Sequence, residues 1–268
     1  MKKNKNILVF YPYNKIAVDQ ISVIELISKK HNIIFLSIDN EGPLHEIFKN
    51  MNITTYSIKD NLRNKNIFYN SKYFLYMRML IFFRKIVLKH KINIVFSHLE
   101  IPALISGFFS FFYSYSNFYF RHNIDSMRLD SNFKGRIANR LANYFSKNIV
   151  CVSEPVREYL INFEKVNSSK ITVIENGYDF KKYTDYKYQN NLIEIKKKYK
   201  AEILLVCIGR LVPLKRHIMI LKLISKLNLN FKNKFKLLIL GNGPEIKRLL
   251  NYSNEHNLNN VYFLGYKE

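Results

Sequence analysis

The sequence has 268 residues, 48% of them hydrophobic and 15% aromatic; it is long enough for two domains and apolar enough to bury a sizeable core, which excludes a disordered chain. Lys and Arg number 43 against 20 Asp and Glu, a formal charge of +23, which attracts nucleic acid, anionic membrane or phosphorylated ligands without choosing among them. Stretches rich in Lys, Asn, Ile and Phe, such as "NLNFKNKFK", recur throughout the chain, so bulk charge alone carries little functional weight.

The chain opens on a basic segment, "MKKNKNILVFYPYNK", whose apolar run is too short for the core of a signal peptide, and a cytoplasmic location is expected. Apolar runs that read as strands follow at Ile7–Tyr11, Ile33–Ile38, Thr54–Ile58, Ile92–Ser97, Phe118–Arg121, Asn148–Ser153 and Ile171–Glu175. Segments of helical period lie between them at Val18–Lys30, Pro43–Met51, Lys72–Lys89, Pro102–Phe112, Arg128–Ser146 and Pro155–Glu164. Strands alternating with helices predict an α/β fold with a parallel sheet. The longest apolar stretch, "YFLYMRMLIFFRKIVLKHK", is broken by Arg78, Arg84 and Lys85 well short of the roughly 20 residues a membrane span requires. Cys151 and Cys207 each sit inside a strand-like run and read as buried free thiols of a reducing compartment.

Residues 1–178 thus predict one complete domain, and the polar, tyrosine-rich residues 179–200 a linker. The β-α-β rhythm restarts over 201–268, with strands Ile203–Ile208, Lys236–Leu240 and Val261–Leu264 and helices His217–Leu227 and Pro244–Asn254. This second sheet reads as unfinished.

Several short motifs admit a structural and a functional reading. In "LLILGNGPEIKRLL", Gly241 and Gly243 form either a plain strand-to-helix turn or a place where backbone and a helix start approach a phosphate. Asn176-Gly177 is either a hairpin turn or a loop leaving the sheet. Ser153 ends a strand, where it can cap the next helix or face a ligand, and His122 follows another strand as a structural or a site residue. "CIGRLVPLKRH" places Arg210 and Lys215 just beyond Gly209 at a strand end. No paired His or Cys has metal-ligand spacing, and neither a Walker-type loop, a Gly-x-Ser-x-Gly elbow nor an Asp-x-Asp pair occurs.

Taken in order, "VCVSEPVREYL", "ITVIENGYD", "CIGRLVPLKRH", "LLILGNGPE" and "VYFLGYKE" resemble the retaining glycosyltransferases of family 4, which have the two-domain GT-B architecture. The resemblance implies an N-terminal Rossmann-like acceptor-side domain, a partial C-terminal Rossmann-like domain that binds a nucleotide-sugar, and a C-terminally truncated chain. It implies that Arg210 and Lys215 grip the donor diphosphate, that His122 faces the donor sugar, and that Gly209, Gly241, Gly243, Ser153 and Asn176 line the donor side, with no metal and no other cofactor. A glycan or lipid-linked acceptor of bacterial surface polysaccharide assembly would receive the sugar. Three departures stand out: the loop "YPYNKIAVDQ" lacks the family's glycine pair, Arg216 replaces a glycine after Lys215, and the family's Glu-x(7)-Glu element lies beyond Glu268.

Readings of other classes compete. The basic, aromatic segments "KYFLYMRMLIFFRKIVLKHK" and "ISGFFSFFYSYSNFYF" are either core-facing or a docking surface for anionic lipid. A catalytically silent relic, or a fragment that only binds a nucleotide or diphosphate, is the alternative to an active transferase. Nucleic-acid binding is not expected, because the charge is dispersed and no recognition module appears.

Overall fold

The computed structural model describes residues 4–15, 18–63, 72–122, 133–177, 187–230 and 234–267. The chain parts into two compact units, Met1–Asp179 and Phe180–Glu268. The first is built around seven strands: β1 (Asn6–Tyr11), β2 (Asn32–Ser37), β3 (Thr54–Ser57), β4 (Ile94–His98), β5 (Ser116–Arg121), β6 (Asn148–Cys151) and β7 (Ile171–Val173). All pair in parallel, in the order β3-β2-β1-β4-β5-β6-β7. The helices are α1 (Val18–Ser28), α2 (Pro43–Asn50), α3 (Ile58–Arg63), α4 (Lys72–Lys89), α5 (Glu100–Phe109), α6 (Phe133–Phe145) and α7 (Glu154–Asn162).

The two-residue period of a strand explains how this sheet is covered on both faces. Leu8 and Phe10 of β1, with Ile34 and Leu36 of β2, point to the side where α4 contributes Met79, Phe83 and Ile86. Ile7, Val9, Ile33 and Phe35 point to the other, against Ile24 of α1 and Leu44 and Phe48 of α2. Further along, Ala103 of α5, Ala142 of α6 and Val156 and Leu160 of α7 close over Tyr119, Ile149 and Cys151. α5 and α6 cross closely at Gly107, where an added Cβ would stand 2.9 Å from the Cβ of Phe145.

The second unit holds α8 (Lys187–Tyr199), β8 (Ile203–Ile208), a 3-10 turn (Pro213–Lys215), α9 (His217–Asn230), β9 (Phe235–Leu240), α10 (Ile246–Glu255) and β10 (Val261–Gly265). Its parallel sheet runs β10-β9-β8. Leu221 and Ile224 of α9 and Leu249 of α10 bury one face of it against Phe235, Leu237 and Ile239. β8 is an edge, and Val206 and Ile208 remain exposed on it.

Local departures from the sequence reading have physical causes. β3 stops at Ser57 and α3 begins at Ile58, because the Ser57 hydroxyl accepts the Asp60 backbone N–H at 3.1 Å and caps a helix there. α10 starts at Ile246, two residues later than the proline suggests, since Pro244 and Glu245 lie in a turn. Residues 187–199, within the polar segment 179–200, form a helix. The N-terminal part of the helix expected from Arg128 lies outside the described residues, as does Asp125, three positions beyond His122.

Candidate functional site

In the first unit the chain winds outward from β1 to β3, then returns to lay β4 on the other side of β1. Such a reversal opens a crevice at the carboxyl ends of the two central strands, where open α/β sheets hold ligands. Tyr11 ends β1 and His98 ends β4, and their rings are 4.8 Å apart. His98 is 2% exposed and lies beside Phe120 of β5 in register, with ring centroids 4.8 Å apart. Two residues beyond Phe120 on the same side comes His122, whose Nε2 is 2.9 Å from Nδ1 of His98. The two imidazole planes differ by only 17°, so the in-plane lone pair of one nitrogen meets the N–H of the other. Burial, and then the neighbouring His122, hold the His98 pKa well below the usual histidine range. His98 is therefore neutral near pH 7 and serves as a fixed hydrogen-bonding partner that sets the plane of the His122 ring.

The strand end that carries His122 is anchored from beneath. Arg121, 5% exposed, donates from Nη2 to Glu164 Oε1 at 2.8 Å and from Nη1 to Asn139 Oδ1 at 2.6 Å. Asn143 donates to the second Glu164 oxygen at 2.6 Å, and the Tyr119 hydroxyl donates to Asn139 Oδ1 at 3.2 Å. One carboxylate thus ties β5 and α6 to the end of α7. Burial pushes the nearby Cys151 thiol up to about 11, so it is an inert core group at neutral pH.

Ser153 stands at the N-cap of α7, but its hydroxyl forms no capping bond. Asn176 and Gly177 lie in an exposed loop after β7, with open space around Gly177. A hairpin partner for β7 beyond Asn176-Gly177 would fall in 178–186, which lie outside the described residues. His122, Ser153 and Asn176 therefore follow three successive neighbouring strands, all at carboxyl ends.

The second unit brings its own set together. Gly209 and Gly241 follow the carboxyl ends of β8 and β9, whose loops are stitched by Gly209 N–H to Leu240 O at 2.9 Å and Leu211 N–H to Asn242 O at 3.0 Å. Gly241 has φ +140°, and a Cβ there would overlap the Gly209 carbonyl oxygen; a Cβ at Gly243 would overlap that of Leu211. Both glycines are required by backbone-to-backbone approach. Arg210 and Lys215 are exposed, and neither forms an ion pair among the described residues. Lys215 ends the 3-10 turn, and Arg216 then adopts φ +51°, ψ +34°, the left-handed conformation that a glycine takes without strain. His217, 2% exposed at the start of α9, lies under Gly209, and its Nδ1 has no hydrogen-bond partner among the described residues. Glu245 is paired with Arg248 at 3.0 Å, which offsets the acidic charge nearest the glycine loop.

Neither His98 nor His217 stands out from the sequence as a site residue. A signal existed for His98, since it ends a strand at a sheet reversal, but its pairing with His122 depends on strand register. Among the described residues no three His, Cys, Asp or Glu side chains cluster so as to hold a metal.

Two Rossmann-like parallel sheets in series, the first presenting polar loops and the second glycine-built loops at their strands' carboxyl ends, define the GT-B class of fold. Residues 24–182 match the family model described as Glycosyltransferase Family 4, and residues 189–268 match that of Glycosyl transferases group 1. The chain belongs to glycosyltransferase family 4. It is 28% identical over 156 residues to a glycosyltransferase of Methanocaldococcus jannaschii, a match spanning 54% of this chain and 38% of that one. The fold is similar to that of Anabaena HepE in complex with UDP, with a TM-score of 0.77 at 16% identity, covering 98% of this chain and 69% of that one. A Rickettsia africae glycosyltransferase gives 0.69 at 18% identity over 99% and 69%, and Thermosynechococcus elongatus sucrose-phosphate synthase 0.71 at 12% over 99% and 71%.

Proposed function

We propose that this chain binds a nucleotide-sugar and takes part in transferring its sugar to a glycan or lipid-linked acceptor, with retention at the anomeric carbon and without metal. The observation that carries the reading is the glycine-built loop pair of the second unit. Gly209 and Gly241 bring two backbones together at the strand ends, and Arg210 and Lys215 stand beside them, exposed and without an ion-pair partner among the described residues. Family membership supports it, as do similar folds that hold UDP and UDP-glucose.

Breaking the bond between anomeric carbon and phosphate leaves a nucleoside diphosphate with new negative charge. A guanidinium and an ammonium fixed near that oxygen stabilise the departing group more than the intact donor, which is the condition for acceleration rather than mere binding. Arg210 offers a planar fork suited to two phosphate oxygens and Lys215 a point charge. The backbone N–H groups of the glycine loops supply further donors. In the first unit His122, its ring held by His98, would face the donor sugar, with Ser153 and Asn176 as polar neighbours along the same strand ends. Retention, the acceptor class, a role in surface polysaccharide assembly and a place at the inner face of a membrane all belong to this proposal.

The test is calorimetric titration of the chain with UDP. Arg210→Ala should weaken binding by about tenfold or more, the worth of a hydrogen bond to a charged group. Equal affinity in wild type and variant would remove Arg210 from the site.

A further inference from the structure

The sequence leaves open whether two aromatic, basic segments face the core or a membrane, and the structure divides them. On α4, Met79, Phe83 and Ile86 are buried whereas Met77, Ile81 and Leu88 are exposed. On α5 and the turn after it, Ile105 is buried while Phe108, Phe111 and Phe112 are exposed. The close crossing at Gly107 sets Phe108 and Phe111 against α6, and Phe112 lies 5.3 Å from Phe108. Phe108 and Phe111 lie 5.8 and 5.9 Å from Phe145, and Phe145 lies 5.3 Å from Tyr144, which is 72% exposed. The apolar surface continues up the outer side of α6 through Leu141 and Ile137.

Among the described residues the charge on this surface has one sign. Arg136 and Arg140 are exposed along the same side of α6 and Lys147 is exposed just beyond its end, with its ammonium 5.6 Å from the centre of the Phe111 ring. From Lys72 to His122 the sole carboxylate is Glu100, at the far end of α5, and from Phe133 to Ser153 there is none. Beside the rings, a hollow of about 730 Å³ is lined by Lys5, Lys147 and the hydroxyl-rich turn Ser110–Ser116, again without a carboxylate. Exposed aromatic rings within a cationic rim, on a chain whose described helices include none that could cross a bilayer, suit a surface with an apolar interior and anionic headgroups. A protein partner of ordinary composition would leave so many uncompensated cations only if it were strongly acidic.

We propose that the outer face of α5 and α6 docks this protein on an anionic lipid bilayer, with Phe111, Phe112 and Tyr144 entering the headgroup layer and Arg140 and Lys147 meeting lipid phosphates. α6 runs antiparallel to the strands and, at 13 residues, is about 20 Å long. A bilayer lying along it reaches from the amino to the carboxyl edge of the sheet, bringing lipid close to the strand ends that carry His98 and His122. The docking face stands on the first unit alone; it deepens the proposed function by assigning a lipid-linked acceptor, and that step rests on the transferase reading.

Co-sedimentation of the full chain with vesicles tests it, comparing phosphatidylglycerol in phosphatidylcholine with phosphatidylcholine alone. Binding is expected to the first and to be lost at high salt. Phe111→Ser with Phe112→Ser and Tyr144→Ser should weaken it by about tenfold or more. Arg140→Ala with Lys147→Ala should weaken it about 25-fold, at about fivefold for each cation near the surface. Removing three exposed lysines of the other unit, Lys196→Ala with Lys197→Ala and Lys198→Ala, should change it less than about twofold if the face is specific. A wild type that fails to sediment, aromatic variants that bind as wild type does, or a control as damaging as the α6 pair each overturns the proposal. So does light scattering that shows a wild-type dimer converted to monomer by the aromatic changes, since the face would then meet a second copy. Retained UDP binding and thermal unfolding in the variants separate loss of docking from misfolding and from failure of the donor site.

Discussion

Gly241→Ala should be among the most damaging single-methyl changes available to this chain, and its size can be worked out. Gly241 has φ +140°, a region essentially closed to side-chain-bearing residues, which costs about 1 to 3 kcal/mol. The added Cβ would also overlap the Gly209 carbonyl oxygen and stand 2.9 Å from its carbon, both of them backbone atoms that cannot swing aside. Relief requires the loops after β8 and β9 to part. That threatens the bonds from Gly209 N–H to Leu240 O at 2.9 Å and from Gly241 N–H to Gly265 O at 2.8 Å, each worth about 1 kcal/mol. The sum is about 3 to 5 kcal/mol, a large part of the about 5 to 15 kcal/mol that holds a domain together. Gly177→Ala is the matched control: nothing lies within 4 Å of its added methyl, so the change should stay within about 0.5 kcal/mol. Urea unfolding followed by circular dichroism, with hydrogen exchange resolved by peptide, measures both. The loss should fall on peptides of the second unit and leave the first unchanged. A Gly241→Ala protein within about 1 kcal/mol of wild type would show that the two loops are not in fixed contact.

Two further predictions concern the first unit. Glu164→Gln leaves the Arg121 guanidinium buried without its carboxylate, and should cost about 3 kcal/mol or more by chemical denaturation; a loss below about 1 kcal/mol would mean that water or another group already satisfies Arg121. Stability should also fall on acidification. Burial lowers the pKa values of His45 and His98 in the folded chain, and both rings are almost fully enclosed. As pH drops below about 6.5 the unfolded chain takes up protons that the folded chain refuses, so stability declines by up to about 1.4 kcal/mol per pH unit for each such histidine. Denaturation midpoints that are flat above pH 7 and fall toward pH 5 are expected, and a flat profile throughout would count against neutral buried rings.

The parallel strands are readable in the sequence because a sheet covered on both faces demands nearly continuous apolar runs, and β1, β2 and β9 have them. α3 escapes that reading, since six residues give too little period, although Ser57 and Asp60 three residues apart carry its capping signal. α8 escapes it for another reason: residues 193–198 are all exposed, so no apolar stripe is written into them. The glycine loop of the second unit is visible as a motif because backbone approach restricts Gly241 and Gly243 locally. His98 is not, because what makes it matter is the register that sets it beside Phe120 and so brings His122, 24 positions away, onto its ring.

The glycine-free loop after β1 shows how a family departure can be absorbed elsewhere. Asn14 turns its side chain toward the start of α2, donating from Nδ2 to Asn40 O at 2.9 Å, while its own carbonyl accepts the Leu44 N–H at 3.2 Å. The residue it rests on is Gly42, where a Cβ would come within 2.8 Å of Asn14 Nδ2. Gly42 is extended, with φ −169°, so it is required for space and not for conformation. Two residues on, Leu44 seals the core, and then His45 accepts the Gly42 N–H at 3.2 Å on Nδ1. That bond leaves the hydrogen on Nε2, which can then donate to Ser37 Oγ, 3.1 Å away at the end of β2. Where the first loop has no glycine, the described part of it thus makes a packed contact through Asn14 with Gly42, whose N–H is held in turn by His45.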